Sequence, residues 1–487
     1  MERARARIAP DAGALVIYDT RTRAKRPFRT IEPGRVRMYV CGVTVYDDAH
    51  IGHGMSVMVF DTIRRYLEYL GYEVRHAQNF TDIDDKIIAR SNREEIHPDD
   101  LTGRLIADWL KETLALNVLP ATIYPRATQE LPAIIAMIEG LIERGHAYPV
   151  EGDVYFRVRS FPGYGKLSHR DPDDLRSGAR IEVDDRKEDP LDFALWKAVK
   201  PGEPSWPSPF GEGRPGWHIE CSAMCTTHLG GTVDIHGGGT DLIFPHHENE
   251  IAQSEAYLGT EPFANFWLHN GMLRFGGEKM SKSLGNMVTI RSLLDRGLGD
   301  AFRLMVLQSH YRAPLTYSEE ALAGAERGLE RLRTAIGDGA SSADPDTTTG
   351  AGDGSGLAVQ VAETRRRFTA AMDDDFDTPA AIAALFDLAR SVNREAASDH
   401  SAPWVAVARA ALSELMGVLG FELERPAPAA AGDAAPYIDL LVSVRETMRA
   451  ERHWALADHI RDGLADRGVT LEDGPAGTTW KATTGSA

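Results

Sequence analysis

The chain has 487 residues, a formal net charge of −18 and three cysteines. Its length favours about three domains, and its acidic charge argues against indiscriminate nucleic-acid binding, which needs a basic surface. Three cysteines are too few for a disulfide framework, no apolar run could cross a bilayer, and no apolar segment follows the charged N-terminus; we therefore expect a cytoplasmic protein with free or metal-bound thiols.

The first clear pattern is a strand, loop, helix and second strand. Residues 35–43 (RVRMYVCGV) alternate and then become continuously apolar, as a buried strand does. A glycine-containing loop follows, and the apolar spacing from Met58 predicts a helix that ends at Gly71. Residues 73–80 predict the next strand. This order is the opening of a parallel βαβ unit.

Beyond the second strand the sequence pattern changes twice, first to a turn-rich, charged segment and then to a helical one. Apolar spacing predicts a helix over 131–142, and alternation predicts a strand in 152–160. The turn-rich, charged sequence around them indicates an insertion at about 125–215 between two halves of one sheet. Beyond Ser318 the pattern becomes helical, with helices predicted over 319–336, 380–393 and 404–420. A low-complexity stretch at 337–356 is predicted to be a flexible loop.

An Ala/Pro-rich linker then introduces a small C-terminal unit. The predicted divisions are 1–310 for the catalytic domain, 311–425 for a helical domain and 426–487 for the C-terminal domain.

The string HIGHG, His50 to Gly54, stands between the first predicted strand and helix. Imidazoles and free backbone N–H groups at a helix N-terminus can bind phosphate, and Gly52 lets a flat ring approach the backbone. A purely structural turn is the alternative.

A second candidate is GGEKMSKSLGN, which places Lys279 and Lys282 on a short polar loop. Such lysines can close over a triphosphate as charge moves onto the leaving pyrophosphate. The alternative is a solvated basic loop. The chain has no GxxxxGK[ST] motif, so ATP would bind by other means.

The stretch IFPHHENEIAQ is the third candidate. His246 and Glu250 are four residues apart and would share one face if a helix begins after Pro245. An acidic helix start explains the same residues. Two ligands do not make a metal site, so other ligands must come from elsewhere.

HIGH followed by KMSKS, each after a parallel-sheet pattern, is the paired signature of class I aminoacyl-tRNA synthetases. The runs MYVCGVTVYDDAHIGHG, NFTDIDDKII, GRPGWHIECSAM, DIHGGGTDLIFPHHENEIAQSEA and EKMSKSLGN closely resemble the cysteinyl-tRNA synthetase family. The resemblance runs from about Ala14 to the C-terminus, apart from 337–356. It implies an α/β fold, with a Rossmann-like parallel-sheet catalytic domain that carries an insertion, a helical bundle and a small C-terminal domain.

The resemblance also implies a reaction and its site. The implied activity is ATP-dependent activation of L-cysteine and its transfer to tRNA(Cys), with one active-site Zn²⁺ and with Mg²⁺ bound to ATP. The implied zinc ligands are Cys41, Cys221, His246 and Glu250. The implied cysteine pocket consists of Thr81, Trp217, His236 and Asp241. The implied ATP and catalytic residues are Thr44, His50, Gly52, His53, Lys279 and Lys282. The implied tRNA contacts are Arg449, Asp458, Asp473 and Trp480.

Several alternatives stay open from the residues alone. Asp241 follows glycines and suits a turn. The C-terminal helix with Trp454 suits either stacking on unpaired bases or simple inward packing. Cys225 and His247 are expected to be structural. Met55 stands where the family commonly has arginine within two residues of HIGH.

Two other functions compete with tRNA charging. The related ligase of mycothiol synthesis joins cysteine to glucosaminyl-inositol, and it resembles only the catalytic half of this chain. A synthetase-like binding protein without activity is the second competitor. The helical and C-terminal sequence argues against the first, and the intact motifs argue against the second. The resemblance further implies a monomer with no membrane partner.

Overall fold

A parallel sheet of four strands lies at the centre of the fold. The computed structural model describes residues 15–173, 185–275, 288–337, 356–398, 403–423, 431–450, 453–465, 468–474 and 477–482. The strands up to residue 317 are Val16–Asp19 (β1), Ala24–Pro27 (β2), Arg35–Thr44 (β3), Glu73–Thr81 (β4), Ala147–Val150 (β5), Asp153–Phe156 (β6), Phe193–Ala198 (β7), Gly213–Pro215 (β8), Val233–Gly239 (β9), Ala264–Asn270 (β10), Leu273–Phe275 (β11) and Leu315–Tyr317 (β12). The helices up to residue 336 are Ile51–Tyr69 (α1), Asp85–Glu94 (α2), Pro98–Ala115 (α3), Leu131–Glu143 (α4), Trp217–Leu229 (α5), Glu248–Leu258 (α6), Ile290–Asp295 (α7), Gly299–Leu307 (α8) and Glu319–Ile336 (α9). The central sheet has the order β10, β9, β3, β4, and each neighbouring pair is parallel.

The predicted βαβ unit is confirmed, since β3, α1 and β4 follow one another and the two strands pair in parallel. However, α1 begins at Ile51, seven residues before the predicted start at Met58. The helix starts early because the His50 side chain caps it and accepts the backbone N–H of Gly52 at 3.1 Å. Backbone hydrogen bonds from Ile51 to Val288 and from Ile290 to Ala49 hold this first turn from outside.

The predicted insertion contains its own antiparallel sheet, in the order β5, β6, β7, β8. Residues of β6 and β7, such as Phe156 and Trp196, share a buried core with Ile138 of α4 and with Ile219 and Ala252 of α5 and α6. The insertion therefore packs directly on the two helices that carry the candidate metal ligands. The strand predicted in 152–160 ends at Phe156, and a short 3₁₀ turn, Val158–Ser160, follows it.

Helices dominate the residues that follow β12. They are α9 and then Gly356–Asp373 (α10), Thr378–Ser398 (α11) and Pro403–Val418 (α12). Helix α9 has the bounds that its pattern predicts, and α11 and α12 cover the other two predicted helices to within a few residues. Most of the predicted loop at 337–356 lies outside the described residues.

A buried ion pair anchors α1, which begins at the HIGH residues. Arg303 of α8 donates to Asp61 of α1 at 2.8 Å, and both side chains are fully buried. Arg303 also donates to the carbonyl of Leu419, just after α12. The pair thus ties α1 to the end of the helical region.

The chain divides into two compact units, one of residues up to 336 with 343–422, and one of 337–342 with 423–487. The second unit contains Ala431–Ala450 (α13), Trp454–Ala465 (α14), Val469–Gly474 (β13) and Gly477–Ala482 (β14). Its two strands form an antiparallel hairpin. None of the described helices in either unit is long and apolar enough to span a membrane.

Candidate active site

The site residues lie at the carboxyl ends of the parallel strands. Strand β3 ends at Thr44, which is paired in register with Thr81 at the end of β4. Strand β9 contributes His236 and then leads into the turn that holds Asp241. Ligands of open parallel sheets bind in the crevice outside these carboxyl ends. The topology therefore brings together residues from distant parts of the sequence.

Two cysteines, a histidine and a glutamate form one cluster within this crevice. Their ligand atoms, from Cys41, Cys221, His246 and Glu250, all lie within 4.8 Å of one another. The Glu250 Oε1 atom is 3.3 Å from Cys41 Sγ and 3.1 Å from His246 Nε2. Cys41 is half-buried and the other three are buried. Two sulfurs, an imidazole and a carboxylate are a donor set that fits tetrahedral zinc.

His246 and Glu250 meet although the helix does not begin directly after Pro245. Helix α6 begins at Glu248, and an irregular turn over Ile243–His247 precedes it, with Phe244 in an extended conformation. The turn continues into α6 with helical backbone at His247, so the side chains four residues apart still approach each other.

The electrostatics of the cluster favour the deprotonated form of two of its four donors, Cys221 and Glu250. Burial raises the pKa of Cys41 well above its ordinary value. Burial opposes protonation of His246, but Glu250 and Cys221 outweigh it and raise the pKa of His246 to about 10. A hydrogen bond with Cys41 lowers the pKa of Cys221 to about 6, although burial opposes this shift. Burial also opposes ionisation of Glu250, but His236 and His246 outweigh it and hold the pKa of Glu250 well below its ordinary value. Metal ligands bind as thiolate, neutral imidazole and carboxylate, so an ion bound here would displace protons from Cys41 and His246.

A layer of further histidines surrounds these ligands. His236 Nε2 is 2.9 Å from Glu250 Oε2, and His247 Nε2 is 3.3 Å from Cys41 Sγ. His247 in turn contacts His269, with 2.8 Å between Nδ1 and Nε2. Such outer contacts orient metal ligands. The structure thus gives His247 a contact with the ligand set, beyond the packing role expected from sequence.

Two residues of this layer were not predicted. His218 Nδ1 lies 2.9 Å from His246 Nδ1, and His269 Nδ1 lies 2.7 Å from Thr20 Oγ1. His218 stands beside Trp217 in the run GRPGWHIECSAM, which is the one sequence signal that could have drawn attention to it.

The predicted cysteine-pocket residues Trp217, Thr81 and Asp241 differ in burial and in the contacts that they make. The Trp217 ring centroid is 4.3 Å from that of His246, and the indole is 39% exposed, so it borders the open side. Thr81 is buried and its hydroxyl donates to Glu220 at 2.9 Å. Asp241 is exposed on its short turn.

The HIGH residues form the other end of the crevice. The rings of His50 and His53 stack with centroids 3.7 Å apart. Burial lowers the pKa of His50, while the negative charge of Asp241 opposes the shift. Burial also lowers the pKa of His53, to about 3, so this imidazole is neutral at ordinary pH. A Cβ atom at Gly52 would lie 2.9 Å from the His50 ring, which explains the need for glycine there.

A small, partly open pocket adjoins the HIGH turn. Its lining includes Thr44, His53 and Trp109, together with the carboxylates Asp48 and Asp108. Thr44 and His53 of the predicted nucleotide site thus face a common space.

Other predicted residues lie apart from this crevice or outside the described chain. Lys279 and Lys282 lie outside the described residues. Met55, the departure from the family pattern, is a buried residue of α1 and is 5% exposed.

The predicted tRNA contacts all belong to the second unit. Trp480 Nε1 donates to Asp439 Oδ1 at 2.8 Å, and Asp458 lies 3.3 Å from Arg461 on α14. Arg449 is in the last turn of α13, and Asp473 is in β13, opposite Thr478.

Comparison with known families agrees with this geometry. Residues 27–327 match the model of the tRNA synthetases class I (C) catalytic domain, and residues 367–424 match the DALR domain. The chain is 53% identical over 471 residues to a protein of Dehalococcoides mccartyi named cysteine--tRNA ligase, covering 96% of this chain and 100% of that protein. It is 51% identical over 474 residues to a protein of the same name from Pseudomonas aeruginosa, covering 96% and 99%.

Solved structures with a similar fold are more distant in sequence. The methionyl-tRNA synthetase of Mycobacterium tuberculosis with methionyl-adenylate superposes with a TM-score of 0.55 at 17% identity, covering 84% of this chain and 94% of that chain. This similarity concerns the fold alone. It confirms the predicted class, a Rossmann-like parallel sheet followed by a helical region.

Proposed function

The chain belongs to the cysteine--tRNA ligase family of class I aminoacyl-tRNA synthetases, and we propose that it activates L-cysteine with ATP and transfers it to tRNA(Cys). The observation that carries the proposal is the cluster of two thiols, an imidazole and a carboxylate at the base of the crevice. The buried thiol chemistry suits the reducing cytoplasm.

Selection of cysteine over serine is the central requirement of this function. An apolar pocket can scarcely reject an isosteric hydroxyl group, so shape alone would not suffice. Cys41, Cys221, His246 and Glu250 would hold one Zn²⁺, which when bound lowers the pKa of a coordinated thiol and retains it as thiolate. The hydroxyl of serine stays protonated and binds such an ion poorly.

The residues around the cluster would orient the rest of the amino acid. The exposed indole of Trp217 borders the entrance and would close the apolar side once substrate enters. Asp241 lies close enough to His50 to influence its charge, and its carboxylate would pair with the substrate ammonium between the two ends of the crevice.

Activation requires positioning and charge stabilisation rather than a protein nucleophile. The cysteine carboxylate attacks the α-phosphate of Mg-ATP, which gives cysteinyl-adenylate and releases pyrophosphate. Thr44, His50, Gly52 and His53 would face the phosphates from the end of β3 and the start of α1. The lysine loop, with Lys279 and Lys282, would neutralise the charge that develops on the leaving pyrophosphate.

Transfer then uses a hydroxyl of the terminal adenosine of tRNA, which attacks the acyl carbon and releases AMP. We assign acceptor-arm contacts to the helical domain at 311–425 and anticodon recognition to 426–487. Arg449, Asp458, Asp473 and Trp480 would serve that recognition in a monomeric enzyme. Trp454, 55% exposed, is free to stack on an unpaired base.

The direct test combines ATP–pyrophosphate exchange with acceptor assays on the purified chain. Exchange should depend on cysteine and not on serine, and the acyl group should pass to tRNA(Cys). Transfer to glucosaminyl-inositol instead would identify a ligase of mycothiol synthesis. Absence of exchange with any amino acid would refute the enzymatic function.

A further inference from the structure

The short connection between helices α10 and α11, residues 374–377, has an unusual backbone. Asp375 and Phe376 have φ angles of 62° and 55°, in the left-handed region that residues other than glycine rarely adopt. Their side chains are buried, at 0% and 1% exposed. A strained backbone of this kind persists only where the surrounding structure holds it, so the contacts of the connection indicate its role.

The carboxylate of Asp375 joins two separate segments of the chain to this connection. One oxygen accepts hydrogen bonds from the backbone N–H of Tyr18 at 2.8 Å and from the hydroxyl of Tyr311 at 2.9 Å. The other oxygen accepts from the Arg312 guanidinium, with Nε at 2.8 Å and Nη2 at 2.7 Å. A single buried carboxylate therefore fixes strand β1 and the segment that follows α8 against the helical region.

The segment that follows α8 in turn contacts the residues between β10 and β11. The backbone N–H of Gly271 donates to the carbonyl of Tyr311 at 2.8 Å, and that of Leu315 donates to the carbonyl of Met272 at 3.0 Å. A Cβ atom at Gly271 would lie 2.2 Å from the carbonyl oxygen of Ala313, so the two backbones are in direct contact. Strands β11 and β12 then pair in parallel. The position of β11 therefore depends on the segment that the buried carboxylate holds.

Strand β11 leads toward the proposed phosphate-binding lysines. It ends at Phe275, and Lys279 and Lys282 follow shortly after it in the sequence. The residue before the β10–β11 junction also contacts α1, since Asn270 Oδ1 accepts a hydrogen bond from the Ser56 hydroxyl at 2.9 Å. The contacts thus form a continuous path from the helical region to the strand from which the lysine loop continues.

We propose that Asp375 is a positioning residue for amino-acid activation, because it fixes Tyr311 and Arg312 and thereby the strand β11. The inference rests on the proposed function, in which the lysine loop neutralises charge on the leaving pyrophosphate. Stabilisation of developing charge requires donors that are held in place before the reaction, and a displaced strand would misplace them. The helical region would therefore contribute to activation, in addition to the tRNA contacts proposed for it.

The first measurement is hydrogen exchange of backbone amides in the full chain, which reports on β11 without any substrate. Asp375→Asn keeps the size of the side chain but removes the charge that faces Arg312. Peptides that contain residues 271–275 and 311–317 should exchange about tenfold faster, the effect of one lost charge-assisted hydrogen bond. Peptides of α11, which begins directly after the connection, should change by less than about twofold.

The second measurement is ATP–pyrophosphate exchange. Asp375→Asn should lower kcat by about tenfold, whereas the zinc content and the affinity for L-cysteine should stay within about twofold of the unmodified chain. Asp374→Asn is the matched control, because it makes the same change of charge in the same connection, and its carboxylate is 58% exposed and pairs with Lys25 at the surface. This control should leave both amide exchange and kcat unchanged.

A double-mutant cycle asks whether Asp375 acts through Arg312. Arg312→Gln should lower kcat about as much as Asp375→Asn does, and Arg312→Lys, which keeps the charge, should retain most of the activity. Adding Asp375→Asn to Arg312→Gln should cost less than about a further twofold. An undiminished additional loss would show that Asp375 acts independently and would overturn the proposal.

Thermal midpoints separate folding from positioning. If Asp375→Asn does not fold, Tyr311→Phe is measured in its place; it removes one hydroxyl contact with Asp375 and should lower kcat by about threefold. Unchanged amide exchange at 271–275, or equal losses of kcat and of cysteine affinity, would refute the positioning role. Failure of the unmodified chain to catalyse pyrophosphate exchange would refute the proposed function instead, and amide exchange would still test the position of β11, so the two failures are distinguishable.

Discussion

The two ends of the crevice are built in contrasting ways. We call Cys41, Cys221, His246 and Glu250 the thiol end, and Thr44, His50, Gly52 and His53 the phosphate end. At the thiol end, three of four side chains are buried, and outer histidines contact the ligand atoms. At the phosphate end, all four residues are half-buried, Thr44 and His53 line a partly open pocket, and the neighbouring Asp241 is exposed.

This difference suits the functions that we propose for the two ends. Discrimination between a thiol and a hydroxyl depends on ligand geometry, and a packed, hydrogen-bonded environment maintains geometry. A nucleotide and an acceptor must enter and leave, which requires open space. Substitutions at the thiol end should therefore abolish metal binding and selectivity, whereas those at the phosphate end should lower the rate and leave the metal in place.

The largest effect is expected from Cys221→Ser. A hydroxyl is a poor zinc ligand, so the variant should lose its bound zinc, and cysteine-dependent exchange should fall by more than about 100-fold, beyond the loss typical for an outer contact. Cys225→Ser is the matched control, since Cys225 is buried on the same helix but is not in the cluster. It should retain zinc by elemental analysis. Zinc loss in both variants alike would contradict the assignment of ligands.

At the phosphate end, His50→Asn should lower the exchange rate by about 100-fold without loss of zinc. Asparagine still caps a helix, so stability should change by less than about 1 kcal/mol. His97 provides the control because it caps α3 in the same way, with its Nδ1 accepting a hydrogen bond from the backbone N–H of Asp99 at 3.3 Å. Its side chain is largely exposed to solvent. If His97→Asn slows exchange as much as His50→Asn does, capping alone explains the effect.

His53 and His76 should both make stability depend on pH, but only His53 should also affect exchange. Burial lowers the pKa of each to about 3 from an ordinary value of 6.5. The unfolded chain therefore binds more protons than the folded chain between these values, and stability falls as pH falls below about 6.5. Each histidine should account for about 2 kcal/mol of the loss between pH 6.5 and pH 5.

Urea unfolding at these two pH values checks the expectation. His53→Gln and His76→Gln should each make stability less dependent on pH, but only His53→Gln should lower the exchange rate at pH 7.5. A pH dependence identical to that of the unmodified chain would show that the imidazoles are not held neutral by burial.

The smallest effect on catalysis is expected from Arg449→Ala in the second unit. Loss of one nucleic-acid contact should raise the KM for tRNA by about three- to tenfold and leave exchange unchanged. Arg366→Ala serves as the control, because this arginine is 70% exposed and its ion pair with Glu363 lies at the surface, where such pairs contribute little to stability. Equal changes in both variants would point to general electrostatics instead of a specific contact.

Sequence patterns predict the fold best where one element determines its own structure. Helix α9 follows its apolar spacing and has the predicted bounds of Glu319–Ile336. The start of α1 was predicted too late because Gly52 and Gly54 disfavour helix, whereas the His50 cap and the hydrogen bonds to Val288 and Ile290 stabilise it. Those partners are distant in sequence and leave no local signal.

Prediction of the site residues was limited in the same way, because contacts between distant residues leave no local signal in the sequence. Spacing alone indicated His246 and Glu250, and only the resemblance to a family named Cys41 and Cys221. The outer contacts were missed because their partners are far apart, as with Thr81 and Glu220, which are separated by 139 residues. Hydrogen bonds between such residues depend on how the strands and helices pack, which periodicity does not specify.

The most direct test of the central claim is X-ray absorption at the zinc edge, with and without substrate. We expect one zinc per chain with two sulfur neighbours, from Cys41 and Cys221, and a third sulfur when L-cysteine is added. Addition of L-serine should leave the sulfur count at two. A count that does not change with cysteine would contradict the claim that the thiol end recognises its substrate through the metal.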